Sequence, residues 1–155
     1  MKKKYLLYSE QKTKLLAECI AQSIQSPMCF YFNGGLGVGK TTLIRYILRF
    51  LGIKDIIPSP TYTIIEEYKC NNNLFIHMDL YRIDKMDELL FLGLQDYDKK
   101  ECSYFIEWPK HIQSLPKPDI ILNLDVVGGT HSCSMHSYSD KGARVYNLVG
   151  EKLYE

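Results

Sequence analysis

The chain lacks the features that mark exported and membrane-bound proteins. Its five cysteines are odd in number, contain no C-x-x-C pair and fall in part within apolar, strand-like runs, so we predict reduced thiols in a protein core rather than disulfide bonds. The lysines at residues 2–4 are followed by too few apolar residues for a signal peptide, and no apolar run approaches the roughly 20 residues that cross a bilayer. These absences predict a cytoplasmic protein that does not act at a membrane.

Strong net charge and sequence repetition are missing as well. The formal net charge is +1, which excludes a general polyanion-binding surface, so any role with nucleic acid has to be local or to depend on a partner. The sequence contains no internal repeat and no low-complexity linker. With 155 residues, of which 46% are hydrophobic, the chain is long enough for one hydrophobic core. We therefore predict a single domain over residues 1–155.

What the sequence does contain is a phosphate-loop pattern, G-x-x-x-x-G-K-[ST], at residues 34–41. The short apolar and aromatic run 28–32 before it is typical of a buried strand. Apolar residues recur with helical spacing over residues 42–51 after it, and Gly52 is placed to end that helix. A strand before and a helix after are the context that this motif needs, which argues against a chance match in a glycine-rich turn. The pattern predicts a site for a nucleoside triphosphate.

The residue types of this loop suit the binding of phosphate. Glycines allow successive backbone N–H groups to approach phosphate oxygens without a Cβ in the way, and the positive end of the following helix dipole adds to the attraction. Lys40 is predicted to reach the β- and γ-phosphates, and the Thr41 hydroxyl is predicted to ligate Mg²⁺. The predicted nucleotide-binding residues of the loop are Gly35, Leu36, Gly37, Val38, Gly39, Lys40, Thr41 and Thr42.

Two acidic residues follow two apolar, strand-like runs. Asp79 ends the run 74–78, and Glu107 ends the run 102–106. An acid at this position of a phosphate-loop protein holds Mg²⁺ or orients water, although for Asp79 a helix-capping role is the alternative. The spacing alone does not assign which acid does which. Trp108, the only tryptophan, either stacks near the nucleotide or packs in the core, and on residue type alone the core is favoured.

A short segment rich in hydroxyl groups, Ser59–Thr63, lies between the phosphate loop and Asp79. Prolines at residues 58 and 60 stiffen it. The residues alone leave two interpretations open. The segment is either a loop that senses the γ-phosphate and Mg²⁺ or a stiff entry into a strand that begins at residue 61.

Outside these motifs the pattern alternates between strands and helices. This alternation around a phosphate loop predicts a three-layer α/β domain of the phosphate-loop NTPase type, with a mixed, mostly parallel central sheet and an antiparallel portion. His131, Cys133 and His136 match no zinc-binding spacing, so a solvated strand face is the better interpretation. Further strands are predicted over 4–8, 61–70, 74–78, 120–127, 130–138 and 143–149, further helices over 9–24, 84–93 and 109–115, and a polar loop over 94–100.

Five motifs occur together in an order and spacing that resembles the TsaE (YjeE) family. The resemblance covers roughly residues 5–127 and is specific because all five motifs recur in sequence. From residue 128 onward the chain resembles the family only in its length and its strand-like character. The motifs are the phosphate loop, Ser59-Pro60-Thr61-Tyr62-Thr63, His77-Met78-Asp79-Leu80-Tyr81-Arg82, Glu88-Leu89 with Leu92-Gly93, and Glu107-Trp108-Pro109.

The resemblance implies a bacterial ATPase that is needed to make threonylcarbamoyladenosine in tRNAs that read codons starting with A. It implies ATP and Mg²⁺ as cofactors and the TsaD–TsaB pair as partners, with tRNA reached only through that complex. In the family, hydrolysis is thought to reset the complex between turnovers, so we expect it to be weak without the partner. No transfer of the carbamoyl group by the chain itself is implied.

The resemblance also implies roles for single residues. Lys40 would hold phosphate and take part in catalysis, and Thr41 and Asp79 would ligate Mg²⁺. Glu107 would be the catalytic or metal-linked carboxylate, and Trp108 would lie at the nucleotide. Further implied contacts are the switch-like loop Ser59–Thr63, Arg82 near the phosphates or the partner surface, and Ser9–Thr13 beside the base.

One residue departs from the family pattern. Gly35 stands where the family usually has an acid. The second glycine loosens the loop and removes a negative charge beside the phosphates. A role for that acid therefore does not carry over, whereas binding through backbone N–H groups and Lys40 does.

Other classes of nucleotide-binding protein require residues that can be looked for in this sequence. A GTPase needs Asn-Lys-x-Asp to read guanine, and no Asn-Lys pair occurs. A small-molecule kinase needs a lid rich in arginine, and the chain has only Arg45, Arg49, Arg82 and Arg144. A nucleotide-gated binding module with negligible hydrolysis alone fits the same motifs. The kinase and the binding module remain the alternatives.

Overall fold

Parallel strands carry the phosphate loop and both strand-end acids. The computed structural model describes residues 2–98, 101–110 and 112–153, and within them seven strands form one sheet. They are β1 Lys2–Leu7, β2 Cys29–Asn33, β3 Ile65–Cys70, β4 Asn73–Asp79, β5 Cys102–Glu107, β6 Ile120–Val127 and β7 Thr130–Ser137.

The strand order across the sheet is β1-β7-β6-β2-β5-β4-β3. The central strands β6, β2, β5 and β4 run parallel to one another. At the two edges, β7 pairs antiparallel with both β6 and β1, and β3 pairs antiparallel with β4. The predicted mixed sheet with an antiparallel portion is confirmed.

Helices on both faces of the sheet give the predicted three layers. On one face, α1 (Glu10–Ser23) packs against α2 (Lys40–Phe50) and α5 (Asp140–Leu153), and their apolar residues share a core with Phe30, Phe32 and Phe105. On the other face a smaller core includes Tyr31 and Ile106. It is covered by shorter elements, namely α3 (Met86–Phe91) and α4 (Leu94–Asp98), and by Leu115, which follows the 3₁₀ turn Ile112–Ser114.

The predicted start of α1 and the predicted hairpin are also present. The Lys12 N–H donates to the Ser9 side chain at 3.2 Å, which makes Ser9 the N-cap of α1. Asn71 and Asn72 adopt φ of 50° and 64° between β3 and β4, as a tight hairpin turn requires.

The predicted reduced core thiols are present. Cys29 and Cys133 are buried free thiols, and burial raises the pKa of Cys133 to about 12. Among the described residues, no helix has the length and apolar character needed to span a membrane.

In the carboxyl-terminal segment the structure contradicts the sequence prediction. Residues 143–149, predicted as a strand, lie in helix α5. Its buried residues recur every three to four positions, which is the helical period, but two of them are glycines and therefore hide the pattern. Gly142 is required by packing, because a Cβ there would lie 2.1 Å from the Asp119 carbonyl oxygen. The buried residues of α5 are Gly142, Val145, Tyr146, Val149 and Gly150.

Two other predicted elements are shorter than expected. β3 begins at Ile65 rather than at residue 61, because a turn precedes it in which the Ile64 N–H donates to the Pro60 carbonyl at 2.8 Å. The helix predicted over 109–115 is reduced to a 3₁₀ turn between Pro109 and Pro116, and residue 111 lies outside the described residues.

The region after β4 differs from the sequence prediction in two details. The helix predicted from residue 84 begins at Met86, since the Glu88 carboxylate accepts hydrogen bonds from the Asp84 and Lys85 N–H groups. The segment predicted as a polar loop over 94–100 contains α4, anchored by the buried Leu94, and its residues 99–100 lie outside the described residues.

Candidate nucleotide site

The phosphate loop connects the carboxyl end of β2 to the start of α2. At Gly34 the backbone has φ of 142°, and a Cβ would lie 2.5 Å from the Leu124 carbonyl oxygen, so a larger residue does not fit. Gly39 caps α2 with φ of 99°. At Gly35, in contrast, a Cβ would meet only Val38 Cγ1, at 3.9 Å. The loop therefore needs glycine at residues 34 and 39 but has room for a side chain at residue 35.

Lys40 lies at the base of the loop and is only 5% exposed. Its ammonium group donates hydrogen bonds to the Gly34 and Gly35 carbonyl oxygens, both at 2.7 Å, and lies 4.2 Å from the centre of the Trp108 ring. Burial lowers the pKa of Lys40, and the nearby carboxylates oppose that shift. The charge is thus held by carbonyl dipoles and an aromatic face, partners that a phosphate group can replace.

Asp79 and Glu107 occupy directly paired positions at the ends of β4 and β5. Because these strands are parallel, both carboxylates emerge at the edge of the sheet that carries the phosphate loop. Asp79 is 5% and Glu107 is 2% exposed. Asp79 accepts a hydrogen bond from the Tyr81 N–H at 3.0 Å, and burial, together with the charge of Glu107, raises the pKa of Asp79. Two buried acids side by side favour a cation between them.

Glu107 is held by two side chains that converge on one carboxylate oxygen. Glu107 Oε1 accepts a hydrogen bond from the Thr41 hydroxyl at 2.7 Å and lies 2.9 Å from His77 Nε2. His77 is fully buried, and its Nδ1 has no hydrogen-bond partner among the described residues. The sequence alone indicated no role for His77, because a histidine in an apolar strand is commonly a core residue. The available signal was its two-residue spacing from Asp79, which places both on one face of β4.

Trp108 fits both interpretations that its residue type left open. Its side chain packs against the smaller core, and its ring centre lies 4.9 Å from that of Tyr81. Its backbone has φ of 52°, which is uncommon for a bulky residue and is found at functional sites. The Trp108 N–H donates to the Phe32 carbonyl at 3.3 Å, so the chain turns across the end of β2 and the ring reaches Lys40.

These side chains surround a cavity of about 270 Å³, which we call the phosphate cavity. Every predicted site residue except Gly35 lines it, and the Gly35 carbonyl accepts a hydrogen bond from Lys40. The structure therefore brings the predicted residues together. The lining residues are Leu36, Gly37, Val38, Gly39, Lys40, Thr41, Thr42, Thr61, Asp79, Glu107 and Trp108.

A second cavity of about 460 Å³, which we call the side cavity, adjoins the phosphate cavity and shares residues 37–39 and Thr42 with it. It extends to the amino-terminal end of α1, the region for which the family resemblance implied a base contact. Its other lining residues are Leu7, Tyr8, Ser9, Glu10, Thr13, Tyr46, Leu124, Gly129, Thr130 and His131.

The Ser59–Thr63 segment reaches the phosphate cavity through Thr61. The Thr61 hydroxyl oxygen lies 2.8 Å from that of Ser59 and 3.5 Å from an Asp79 carboxylate oxygen. Arg82, for which the resemblance implied a place near the phosphates or the partner surface, stacks on Tyr62 with its guanidinium carbon 4.2 Å from the ring centre. Thr61 therefore faces the site, whereas Arg82 does not line the phosphate cavity.

The donor atoms of the phosphate cavity suit Mg²⁺. Carboxylate and hydroxyl oxygens are hard ligands, and Mg²⁺ at nucleotide sites is held by one or two carboxylates together with phosphate oxygens. Among the described residues, no group of three or more His, Cys, Asp and Glu side chains is placed to hold a metal by itself. His131, one of the residues considered for zinc, instead places its Nδ1 3.1 Å from the Val38 carbonyl oxygen.

The phosphate loop between a parallel strand and a helix, with acids ending two neighbouring strands, defines an α/β domain of the phosphate-loop NTPase type. The crystal structure of YdiB from Bacillus subtilis has the same fold, with a TM-score of 0.80 over 97% of this chain and 95% of that one, at 23% identity. The family described as "Threonylcarbamoyl adenosine biosynthesis protein TsaE" matches residues 7–133. The chain belongs to the TsaE family.

Relatives called tRNA threonylcarbamoyladenosine biosynthesis protein TsaE are similar over most of the chain. The protein of Haemophilus influenzae is 37% identical over 116 residues, which are 74% of this chain and 73% of that protein. The protein of Rickettsia felis is 33% identical over 152 residues, which are 96% of this chain and 88% of that protein. The family predicted from five sequence motifs is confirmed, and the second match continues past residue 127, where the sequence resemblance ended.

Proposed function

We propose that this protein binds and hydrolyses ATP as a component of the tRNA threonylcarbamoyladenosine machinery. The observation that carries the proposal is the meeting of Lys40 and Thr41 with the buried Asp79 and Glu107 in one cavity. A phosphate loop beside two acids is the arrangement that hydrolysis of a nucleoside triphosphate with Mg²⁺ requires. The pathway comes from the relatives, whose names place them in threonylcarbamoyladenosine biosynthesis.

Nucleotide binding is proposed to use both cavities. Backbone N–H groups of residues 35–42 and the start of α2 bind the β- and γ-phosphates, and Lys40 exchanges its carbonyl partners for phosphate oxygens. The side cavity receives the nucleoside, because it begins at the same loop residues and opens towards Ser9–Thr13. Trp108 lies over the Lys40 ammonium and shields it from water.

Thr41, Asp79 and Glu107 are the residues that would hold Mg²⁺, which when bound neutralises phosphate charge. The Thr41 hydroxyl donates to Glu107 in this structure and would change partner in the process. Burial disfavours the charged form of Asp79, so a bound cation stabilises that carboxylate.

Glu107 is proposed to orient the attacking water and to accept its proton. His77 Nε2 lies 2.9 Å from Oε1 and fixes the position of the carboxylate after Thr41 has changed partner. The other carboxylate oxygen, Oε2, is then the acceptor for the water proton.

The partners proposed for this activity are the TsaD and TsaB homologues of the same cell, in the cytoplasm. Hydrolysis is proposed to be slow in the isolated chain and to support turnover of the complex once bound. A net charge of +1 provides no general affinity for tRNA, so tRNA is reached through the complex.

The test is a pull-down of the purified chain with its host's TsaD–TsaB pair under ATP, ADP and no nucleotide, combined with ATPase rates with and without the pair. We expect ATP-dependent capture, loss of that capture in Lys40→Ala, and faster hydrolysis in the complex. Capture in no nucleotide state would refute the partnership and reopen the small-molecule kinase alternative. ATP-dependent capture with no hydrolysis, even in the complex, would identify a nucleotide-gated binding module instead.

A further inference from the structure

Helix α3 presents large apolar side chains to solvent. Phe91, its last residue, is 92% exposed, and Met86 and Leu90 are exposed beside it. Exposed aromatic and methionine side chains are enriched where proteins bind one another, whereas an isolated exposed apolar residue needs no explanation. The clustering of these residues on one short helix is therefore typical of a surface that binds another protein.

A groove of about 350 Å³ runs along this helix, and we call it the α3 groove. Its walls are apolar, and two carboxylates stand at its rim. The apolar residues are Ile64, Ile83, Phe91 and Leu92, and the acids are Asp87 and Glu88. A groove of this composition can take an apolar side chain while its rim pairs with positive charge.

The charge around the groove differs from that of the whole chain. Residues 84–96 carry four carboxylates and one lysine, in a chain whose net charge is +1. All four carboxylates are exposed. Nucleic acid and anionic membrane are poor partners for such a surface, since both would repel it, whereas a segment with lysine or arginine is attracted. The four are Asp84, Asp87, Glu88 and Asp96.

The α3 groove is joined to the phosphate cavity through Ile64. This residue has φ of 69°, a left-handed conformation that is an outlier for a β-branched side chain. Its side chain forms part of the groove wall, while its carbonyl accepts a hydrogen bond from the Asp79 N–H at 2.9 Å. Ile64 also directly follows the Ser59–Thr63 segment, whose Thr61 faces Asp79. A ligand that moves Ile64 therefore acts on the backbone of a proposed Mg²⁺ ligand.

We propose that the α3 groove is the docking site for a partner protein segment that inserts an aliphatic or aromatic side chain beside Phe91 and places lysine or arginine against Asp87. This inference rests on the proposed function, because it locates the partner contact at a groove that includes Ile64, the residue hydrogen-bonded to the Asp79 N–H. It makes the groove the point at which partner binding and nucleotide turnover are linked, through Ile64.

The experiment measures affinity for the purified TsaD–TsaB pair in the presence of ATP for four forms of the full chain. These are the wild type, Phe91→Asp, Asp87→Lys and the control Tyr138→Asp. Tyr138 is an aromatic residue that is 60% exposed at the end of β7. Affinity for ATP alone is measured for each form, since none of the three substituted residues lines the phosphate cavity.

We expect Phe91→Asp to weaken partner binding by roughly tenfold or more, as the loss of an aromatic anchor does. Asp87→Lys should slow association at low salt by about tenfold, with a smaller effect at high salt. Tyr138→Asp should bind like the wild type, and all four forms should bind ATP equally.

Two results separate the inference from the function on which it rests. If the wild type binds the pair and Phe91→Asp and Asp87→Lys bind it equally well, the groove is not the docking site, although the partnership stands. If the wild type does not bind the pair in any nucleotide state, the partnership and the docking proposal fall together. A wild type that is dimeric by sedimentation and becomes monomeric on Phe91→Asp would also overturn the proposal, by showing that a second copy occupies the groove.

Discussion

The phosphate cavity and the side cavity share one loop but are built in different ways. The phosphate cavity takes its chemistry from charged side chains that are almost fully buried, namely Lys40, Asp79 and Glu107. The side cavity is lined by backbone, short polar residues, apolar side chains such as Leu124 and the exposed ring of Tyr8, and the acid in its lining, Glu10, is exposed. The first lies at the ends of parallel strands and the second beside the antiparallel edge of the sheet.

This difference indicates where substitution is costly. A buried charge interacts strongly with its neighbours because little water screens it, so each charged residue of the phosphate cavity depends on the others. An exposed ring in the side cavity contributes contact area that other residues can partly replace. The comparison predicts large, specific losses in the phosphate cavity and small, graded losses in the side cavity.

The largest effect is expected for Glu107→Gln. The substitution keeps the shape of the side chain but removes the proposed acceptor of the water proton, so ATP hydrolysis in the complex should fall by roughly 10²- to 10⁴-fold. ATP affinity should change little. Single-turnover hydrolysis and calorimetric titration with ATP measure the two quantities separately. Hydrolysis at the normal rate would show that Glu107 is not the catalytic carboxylate.

Lys40→Ala should weaken ATP binding by roughly 100-fold, because a charge-assisted contact with phosphate is lost from a site with little water. Lys54→Ala removes an exposed lysine and serves as the control. Binding is measured by calorimetry with ATP and with adenosine. A loss that was as large for adenosine as for ATP would mean that Lys40 maintains the fold of the loop rather than contacting phosphate.

His77→Ala should lower the turnover number by about tenfold and leave KM nearly unchanged, because Glu107 loses the side chain that still positions it once Thr41 has turned to Mg²⁺. His77→Gln can offer an N–H near the position of Nε2 and should recover part of the activity. Steady-state kinetics of both variants with the partner pair provide the measurement. Equal activity of the two variants would indicate that His77 only fills space.

Tyr8→Ala tests the side cavity and should weaken ATP and ADP binding alike by about 2- to 10-fold, the range expected for one aromatic contact. Binding of inorganic tripolyphosphate, which lacks a nucleoside, should not change. Equal weakening for tripolyphosphate would show that the two cavities are not separable.

The smallest effect is expected for Gly35→Ala. A Cβ at this position meets only one side-chain atom, at 3.9 Å, so the folded loop accommodates it, and the loss of backbone freedom in the unfolded chain should stabilise the protein by about 0.4–1 kcal/mol. Thermal unfolding without nucleotide measures this. Destabilisation instead would show that residue 35 needs glycine as residue 34 does.

A feature of this structure could be predicted from the sequence where a short run of residues determines it. The phosphate loop, Asp79 and Glu107 were predictable because each is read from a short run and its flanking strand. The contact between His77 and Glu107 was not predictable, because it depends on the register between β4 and β5, which no short run of sequence determines. The start of β3 was missed for a similar reason, since the left-handed Ile64 is held by contacts with β4 that are distant in sequence.

Helix α5 was missed for a different physical reason. Glycine usually indicates a turn or the end of a helix or strand, but Gly142 and Gly150 are buried packing positions inside α5. At Gly142 the Asp119 carbonyl excludes a side chain, whereas at Gly150 the flexible Lys3 side chain occupies the space. These neighbours lie far away along the chain, so the sequence pattern alone misleads.

The placement of Trp108 has a spectroscopic consequence. Indole fluorescence responds to nearby charge, and the only tryptophan of the chain lies 4.2 Å from the Lys40 ammonium. When Lys40 turns from the ring towards a phosphate, the emission of Trp108 should change without any added dye. Stopped-flow measurement of Trp108 emission is therefore expected to follow the arrival of phosphate at the proposed site.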